Sequence, residues 1–206
     1  MNKLASIYYL QSLGLSTIWP EIVTPRDERG VRRAVKSFYH NLSDGWVLRC
    51  AEMPDMRAKT EPTLPWDVAD SEEALIRKIL DMQKEIPARY PVFCHKVMPM
   101  VRGGTMLVEG SGVLIEAGRG SPHELSAMFR GSRNPEQVVS FKPGMLSFKK
   151  TGEEVLTQDD LYSLRQTERA IPWEEIGAIT NPVAIEFSRI KGGEFYVHDI
   201  KVVGSN

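Results

Sequence analysis

The chain has only two cysteines in 206 residues, Cys50 and Cys94, far apart and without His or Cys neighbours at metal-ligand spacing. Neither a disulfide framework nor a zinc site is therefore available to organise the fold. No stretch approaches the roughly 18 consecutive apolar residues of a membrane span. The opening Met-Asn-Lys-Leu-Ala-Ser carries no long apolar core, so no signal peptide is expected and the cytoplasm is the expected compartment. Net charge is also nearly absent: 26 basic and 27 acidic residues leave −1. That balance argues against a protein held on nucleic acid by bulk electrostatics. Internal repeats and low-complexity tracts are missing too. What is present is 42% apolar and 26% charged sequence, enough for one sizeable domain or two packed lobes with a buried core.

Leu4 to Leu13 reads as a helix stopped by Gly14, which places Lys3 at its entrance. Ile18–Val23 reads as extended, and Thr24, Pro25 and Asp27 give an N-cap, a first-turn proline and a first-turn acid. The helix that follows has Val31, Ala34, Val35 and Phe38 on one face and Arg29, Arg32, Arg33 and Lys36 on another, a pattern that usually marks a solvated basic face. Gly45–Ala51 is a strand carrying Arg49 among small residues. Residues 52–66 hold prolines without a period and read as a surface loop. Asp70 and Glu73 suggest a capping box for a helix buried through Leu75, Ile76, Ile79, Leu80 and Ile86. Ile86–Pro91 is the expected hinge, giving an N-terminal lobe of residues 1–88 and a C-terminal lobe of 89–206. Beyond it, Val92–Val101, Thr105–Val108 and Gly112–Ala117 are expected to form an antiparallel meander broken at Arg102-Gly-Gly104 and at Glu109-Gly-Ser-Gly112. His95, inside the first of these strands, reads as a packed side chain. A short helix starts at Ser121, residues 138–148 are strand-like, and Thr157 with Asp160 caps a helix along Leu161, Leu164 and Ile171.

The strongest pattern lies at residues 181–203, where two β-rich runs flank Gly192-Gly193. A two-residue turn there pairs Lys191 with Glu194, Ile185 with Ile200 and Glu186 with Asp199. One face then gathers Val183, Ile185, Phe187, Ile200 and Val202, and the other Ala184, Glu186, Ser188, Val197, Asp199 and Lys201. Two carboxylates directly opposite repel unless a cation sits between them. Mg²⁺, which uses one or two carboxylates plus substrate phosphates, suits Glu186 and Asp199, with Lys201 as a phosphate contact.

With Lys3, Arg49, Glu186 and Asp199 in view, the chain resembles the ATP-binding domain of the phosphoenolpyruvate synthase and pyruvate phosphate dikinase family, an ATP-grasp fold. Lys3-Leu-Ala-Ser-Ile through Leu13-Gly-Leu15 is similar to that family's opening helix, whose lysine binds ATP phosphates. Leu48-Arg-Cys-Ala51 is similar to its Val-Arg-Ser-Ser/Gly-Ala, whose arginine contacts the transferred phosphate. Cys94-His-Lys-Val-Met98 falls at its strand leading to the adenine hinge, and Leu114-Ile-Glu-Ala-Gly118 and Gly131–Glu136 at its glycine-rich stretches. Pro182–Phe187 with His198-Asp-Ile-Lys201 is similar to its metal-holding Asp-Ile-Glu-Trp/Phe and Leu-Gln-Ala-Arg. The resemblance implies an α+β, two-lobed ATP-grasp-like fold of antiparallel sheets with flanking helices. It also implies catalytic roles for Lys3 and Arg49, ATP contacts from Lys3, Arg49, Lys96, Met98, Glu116 and Lys201, and Mg²⁺ on Glu186 and Asp199.

The chain departs from that family in lacking the glycines before the lysine, in Cys50, and in a short middle segment. Neither a phosphohistidine domain nor a pyruvate-binding barrel is legible, so the expectation is ATP–Mg²⁺ binding and one phosphoryl transfer, to a partner protein or a small acceptor. A catalytically degenerate nucleotide-binding or regulatory module needing a partner chain is the alternative. Nucleic-acid binding through the Arg29–Lys36 stripe ranks below both.

Overall fold

The computed structural model describes residues 2–39, 45–51, 64–110, 112–129, 131–142, 147–174 and 181–203. The fold is α+β, with two antiparallel sheets of four and six strands among the described residues. The chain divides into two compact units, residues 1–5 with 18–98 and residues 6–17 with 99–206. The division runs through the first helix, α1 (Lys3–Ser12).

The first unit holds β1 (Glu21–Val23), α2 (Glu28–Phe38), β2 (Trp46–Cys50), β3 (Trp66–Ala69), α3 (Glu72–Glu85) and β4 (Val92–Lys96), with sheet order β1-β4-β2-β3. β4, expected to open the second lobe, pairs with β1 on one edge and β2 on the other. It is the central apolar strand of this sheet, and the break comes after Met98 rather than at Ile86–Pro91. One sheet face packs Leu48, Cys50, Val92 and Cys94 against Val31 and Val35 of α2 and Leu75, Ile76 and Ile79 of α3. Both helix caps differ from expectation by a residue or more. Asp27, not Thr24, accepts the Gly30 amide, and Ser71, not Asp70, accepts the Ala74 amide. Each has the extended backbone that an N-cap requires. The basic face of α2 is indeed solvated, with Arg32 bonded to Glu28 and Glu73. The C-terminus of α3 is closed by Arg26, whose guanidinium donates to the carbonyls of Gln83 and Ile86. The expected loop of residues 52–66 lies mostly outside the described residues, and its last residue, Trp66, begins β3.

The second unit contains the rest of α1, β5 (Met100–Glu109), β6 (Gly112–Arg119), α4 (Pro122–Phe129), β7 (Gln137–Phe141), β8 (Lys149–Gly152), α5 (Gln158–Ala170), β9 (Val183–Ile190) and β10 (Phe195–Val202). Gly14, at φ 71°, ends α1 as the sequence suggested. Strands β5 to β8 form an antiparallel meander in which, of the three strands expected to make one, only Thr105–Val108 and Gly112–Ala117 pair, within β5 and β6, and β9 returns to the other edge of β5, giving the order β10-β9-β5-β6-β7-β8. Arg102-Gly-Gly104 is not a turn but part of β5. Its glycines serve close approach: a methyl on Gly103 would lie 2.5 Å from Phe187 O, and one on Gly104 2.0 Å from Glu116 O.

The two faces of this sheet differ. Met106, Ile115, Val139, Ile185, Phe187, Val197 and Ile200 are buried on one. α5 closes that side, with the predicted capping box of Thr157 and Asp160 at its start. Asp160 also bonds Arg102 and Arg189, at 2.7 Å each, which lie side by side on β5 and β9. The opposite face is polar and carries Thr105, Glu116, Glu186, Ser188, Asp199 and Lys201.

Candidate functional site

The β9–β10 hairpin turns through three residues, not two. Ile190 N–H donates to Glu194 O, Gly193 N–H donates to Ile190 O, and Gly193 takes φ 91°. This is a three-residue loop closed by a left-handed glycine. Near the turn the pairing is therefore shifted by one, with Phe187 opposite Val197 and Ser188 opposite Tyr196. A bulge between Val197 and Asp199 then adds His198 to the count, and beyond it Glu186 faces Asp199 and Ile185 faces Ile200 as the sequence predicts. Val197 moves to the apolar face as a result. Were His198 paired in the ladder rather than bulged out, Asp199 would stand opposite Ile185 and point into the core.

The two acids and a lysine form one connected cluster. Lys201 Nζ lies 2.8 Å from Glu186 Oε1 and 3.0 Å from Asp199 Oδ2. Burial works against the Lys201 charge, but Asp199 and Glu186 outweigh it and hold the ammonium above its ordinary pKa. The second oxygen of Asp199 accepts from Ser6 Oγ at 2.7 Å, and the Ser6 hydroxyl in turn accepts the Ile200 amide at 2.9 Å. Ser6 thus ties α1 to β10. Ser188 Oγ lies 2.6 Å from His198 Nε2, both side chains being buried. Sequence reasoning missed Ser6 and His198, because no local pattern links position 6 to position 199 and a bulge leaves no periodic mark.

Two carboxylates flanked by hydroxyls offer hard oxygen donors that fit Mg²⁺. No cluster of three or more acid, His or Cys side chains able to hold a metal occurs among the described residues. An ion here would be completed by ligand oxygens, as Mg²⁺ bound with phosphates usually is. Glu116 lies in the same cross-strand row, reached from Glu186 through Thr105.

The remaining candidates sit in the first unit. Asn2 caps α1 through the Ala5 amide, making Lys3 its first residue. Arg49 projects from β2 on the same face as His95 of β4, since Val47 pairs with His95 and Arg49 with Phe93. His95 feels both cations. Burial is the larger influence, and with the positive charge of Arg49 and Lys3 it pushes the imidazole down to about 4 despite a bond from Nδ1 to Lys96 O. His95 is therefore neutral and packed, as expected, and lies close enough to Lys3 and Arg49 for both charges to act on it. Lys96 ends β4 opposite Trp46, on the other face from Arg49. Met98 is half-buried beyond it.

No family model matches the chain, and no curated protein matches it by sequence. Solved structures do. D-alanyl-alanine synthetase A from Vibrio cholerae O1 biovar eltor str. N16961 superposes with TM-score 0.58 and 10% identity, over 97% of this chain and 54% of that one. N5-carboxyaminoimidazole synthetase from Staphylococcus aureus gives 0.55 and 9%, over 98% and 43%. A RiPP-associated ATP-grasp ligase from Chryseobacterium gregarium, in complex with ADP and a leader and core peptide, gives 0.51 and 12%, over 94% and 49%. The chain thus has an ATP-grasp fold and spans about half the length of these proteins. They are ligases and synthetases, so they support the expected ATP-grasp architecture but not the expected kinship with phosphoenolpyruvate synthase. No described helix is long and apolar enough to cross a membrane.

Proposed function

We propose that this chain is an ATP–Mg²⁺-binding module of the ATP-grasp ligase type, which transfers the γ-phosphoryl group of ATP to a carboxylate. The observation that carries the reading is the Glu186–Asp199 pair, held face to face beside Lys201 in a fold that ATP-using ligases share. In the transfer, a carboxylate oxygen attacks the γ-phosphorus while the bond to the β,γ-bridging oxygen breaks. ADP leaves and an acyl phosphate forms, so no proton need move. Glu186 and Asp199 would hold Mg²⁺, which neutralises phosphate charge. Lys3 and Arg49 are the proposed phosphate ligands, and Glu116, Lys96 and Met98 the remaining proposed nucleotide contacts. Transfer of this kind asks for placement and charge neutralisation rather than covalent help from the protein, which suits a set made of lysines, an arginine and acids.

The ligase likeness favours this over transfer to a histidine and over a degenerate binding module. The test is calorimetric binding of ADP with and without Mg²⁺. Wild type is expected to bind in a Mg²⁺-dependent way, and Glu186→Gln with Asp199→Asn to lose that dependence. Mg²⁺-dependent binding that survives the double change would remove these acids from the site.

A further inference from the structure

The first turns of α1 are closely packed: Leu4, Ala5, Ser6, Ile7 and Leu10 are each no more than 1% exposed. A hydroxyl among such neighbours is costly unless it is satisfied, and a helical Ser or Thr commonly turns back on its own helix to find a carbonyl. Ser12, Ser37, Ser163 and Thr167 do so, each donating to a carbonyl of the preceding turn. Ser6 does not. Its Oγ donates instead to Asp199 Oδ1, at 2.7 Å and 193 residues away in the chain.

The two oxygens of Asp199 have different surroundings. Oδ1 accepts the Ser6 hydroxyl and lies 3.0 Å from the Ile200 amide, a donor it shares with Ser6 Oγ. A carboxylate oxygen offers two lone-pair sites, so Oδ1 is filled. Oδ2 points to half-exposed Lys201 at 3.0 Å. The oxygen that Asp199 leaves to a metal is therefore Oδ2 alone.

We propose that Ser6 sets the metal selectivity of the site: by filling Oδ1 it restricts Asp199 to binding through one oxygen, which suits Mg²⁺ and disfavours Ca²⁺. Mg²⁺ is held in a tight octahedron by single carboxylate oxygens beside phosphates, whereas the larger Ca²⁺ takes more oxygens and often draws both from one carboxylate. A filled Oδ1 costs Mg²⁺ nothing and denies Ca²⁺ a ligand. Ser6 is thus a positioning residue that acts through Asp199. The inference rests on the ATP–Mg²⁺ reading above and names how that site chooses its ion.

The test is calorimetric titration of ADP into the full chain in saturating Mg²⁺ and in saturating Ca²⁺. Wild type is expected to bind ADP more tightly with Mg²⁺. In Ser6→Ala the Ile200 amide still reaches Oδ1, so no buried donor is orphaned, and the ratio of the two affinities is expected to shift about fivefold toward Ca²⁺. Ser6→Cys, close in size but a weaker donor, is expected to shift it about twofold the same way, and serves if the alanine variant does not fold. A hydroxyl that only anchors α1 would lower the melting temperature of both variants and change the two affinities equally. That result, or an unchanged ratio, overturns the assignment. Wild-type binding with no metal dependence overturns the nucleotide reading as well, so the two failures are told apart.

Discussion

Ser188 and His198 meet through a 2.6 Å contact between Oγ and Nε2 at the point where the β9–β10 hairpin gains its extra residue. Its exclusion from the ladder decides which way Asp199 points. Ser188→Ala removes one buried hydrogen bond and is expected to cost about 1–2 kcal/mol. Deleting His198 removes the bulge but keeps Val197 opposite Phe187 and Asp199 opposite Glu186, so no side chain changes faces and the cost is expected to stay near about 1–2 kcal/mol, the loss of the same hydrogen bond. Urea denaturation compares the two variants, and a much larger cost for the deletion would mean that His198 is not the residue the ladder leaves out.

Lys201 bridges Glu186 and Asp199. Lys201→Met is expected to lower stability by no more than about 1 kcal/mol, because the lysine is half-exposed. Millimolar Mg²⁺ is expected to return much of that loss. The folded pKa of Lys201 is raised, so its contribution is complete below the unfolded value near 10.4 and disappears as pH rises through the folded value. Thermal melts of both proteins should differ by a constant amount from about pH 6 to 9 and converge at higher pH.

Asp160 has the opposite sign. Burial raises its pKa, but the Thr157 amide and hydroxyl with Arg189 and Arg102 overcome this and hold the carboxyl below its ordinary range. Its stabilisation is therefore present above about pH 3.9 and is lost as pH falls through the lower folded value. Asp160→Asn leaves two arginines short of a counterion and is expected to cost about 3–5 kcal/mol at pH 7. Acid titration followed by circular dichroism should show wild type losing its advantage over the variant only at the acidic end.

Gly104→Ala is expected to unfold the second unit or cost more than about 3 kcal/mol, since its methyl would sit 2.0 Å from a backbone oxygen. Gly110→Ala, with open space around it and φ 51°, is expected to cost about 1 kcal/mol. Chemical denaturation of the pair separates steric exclusion from backbone preference. A mild Gly104 variant would contradict the close approach of β5 and β6.

These glycines also mark where the sequence was misleading. Arg102-Gly-Gly104 looks like a turn because glycine is the commonest turn residue, yet here it permits contact between strands, and only the neighbours reveal that. The helix faces of α2 and α3 were legible, since burial repeats every three to four residues. Their caps were not, because Thr24, Asp27, Asp70 and Ser71 are all competent and only backbone geometry chooses. β4 was placed in the wrong half because an apolar strand carries no mark of which sheet it joins. Glu186 opposite Asp199 was legible for a reason that was only partly right: a two-residue turn gives the same register as a three-residue turn plus one bulge.

The pairing of Asp160 with Arg102 and Arg189 on one side of the sheet, and of Lys201 with Glu186 and Asp199 on the other, has an electrical consequence. The first group sums to +1 (two guanidiniums, one carboxylate) and the second to −1 (one ammonium, two carboxylates). The sheet is thus polarised through its thickness like a thin charged plate. Its negative side would draw a divalent cation from solution before any phosphate arrives, and because one group is buried, salt would screen that attraction less than it screens an ordinary surface charge.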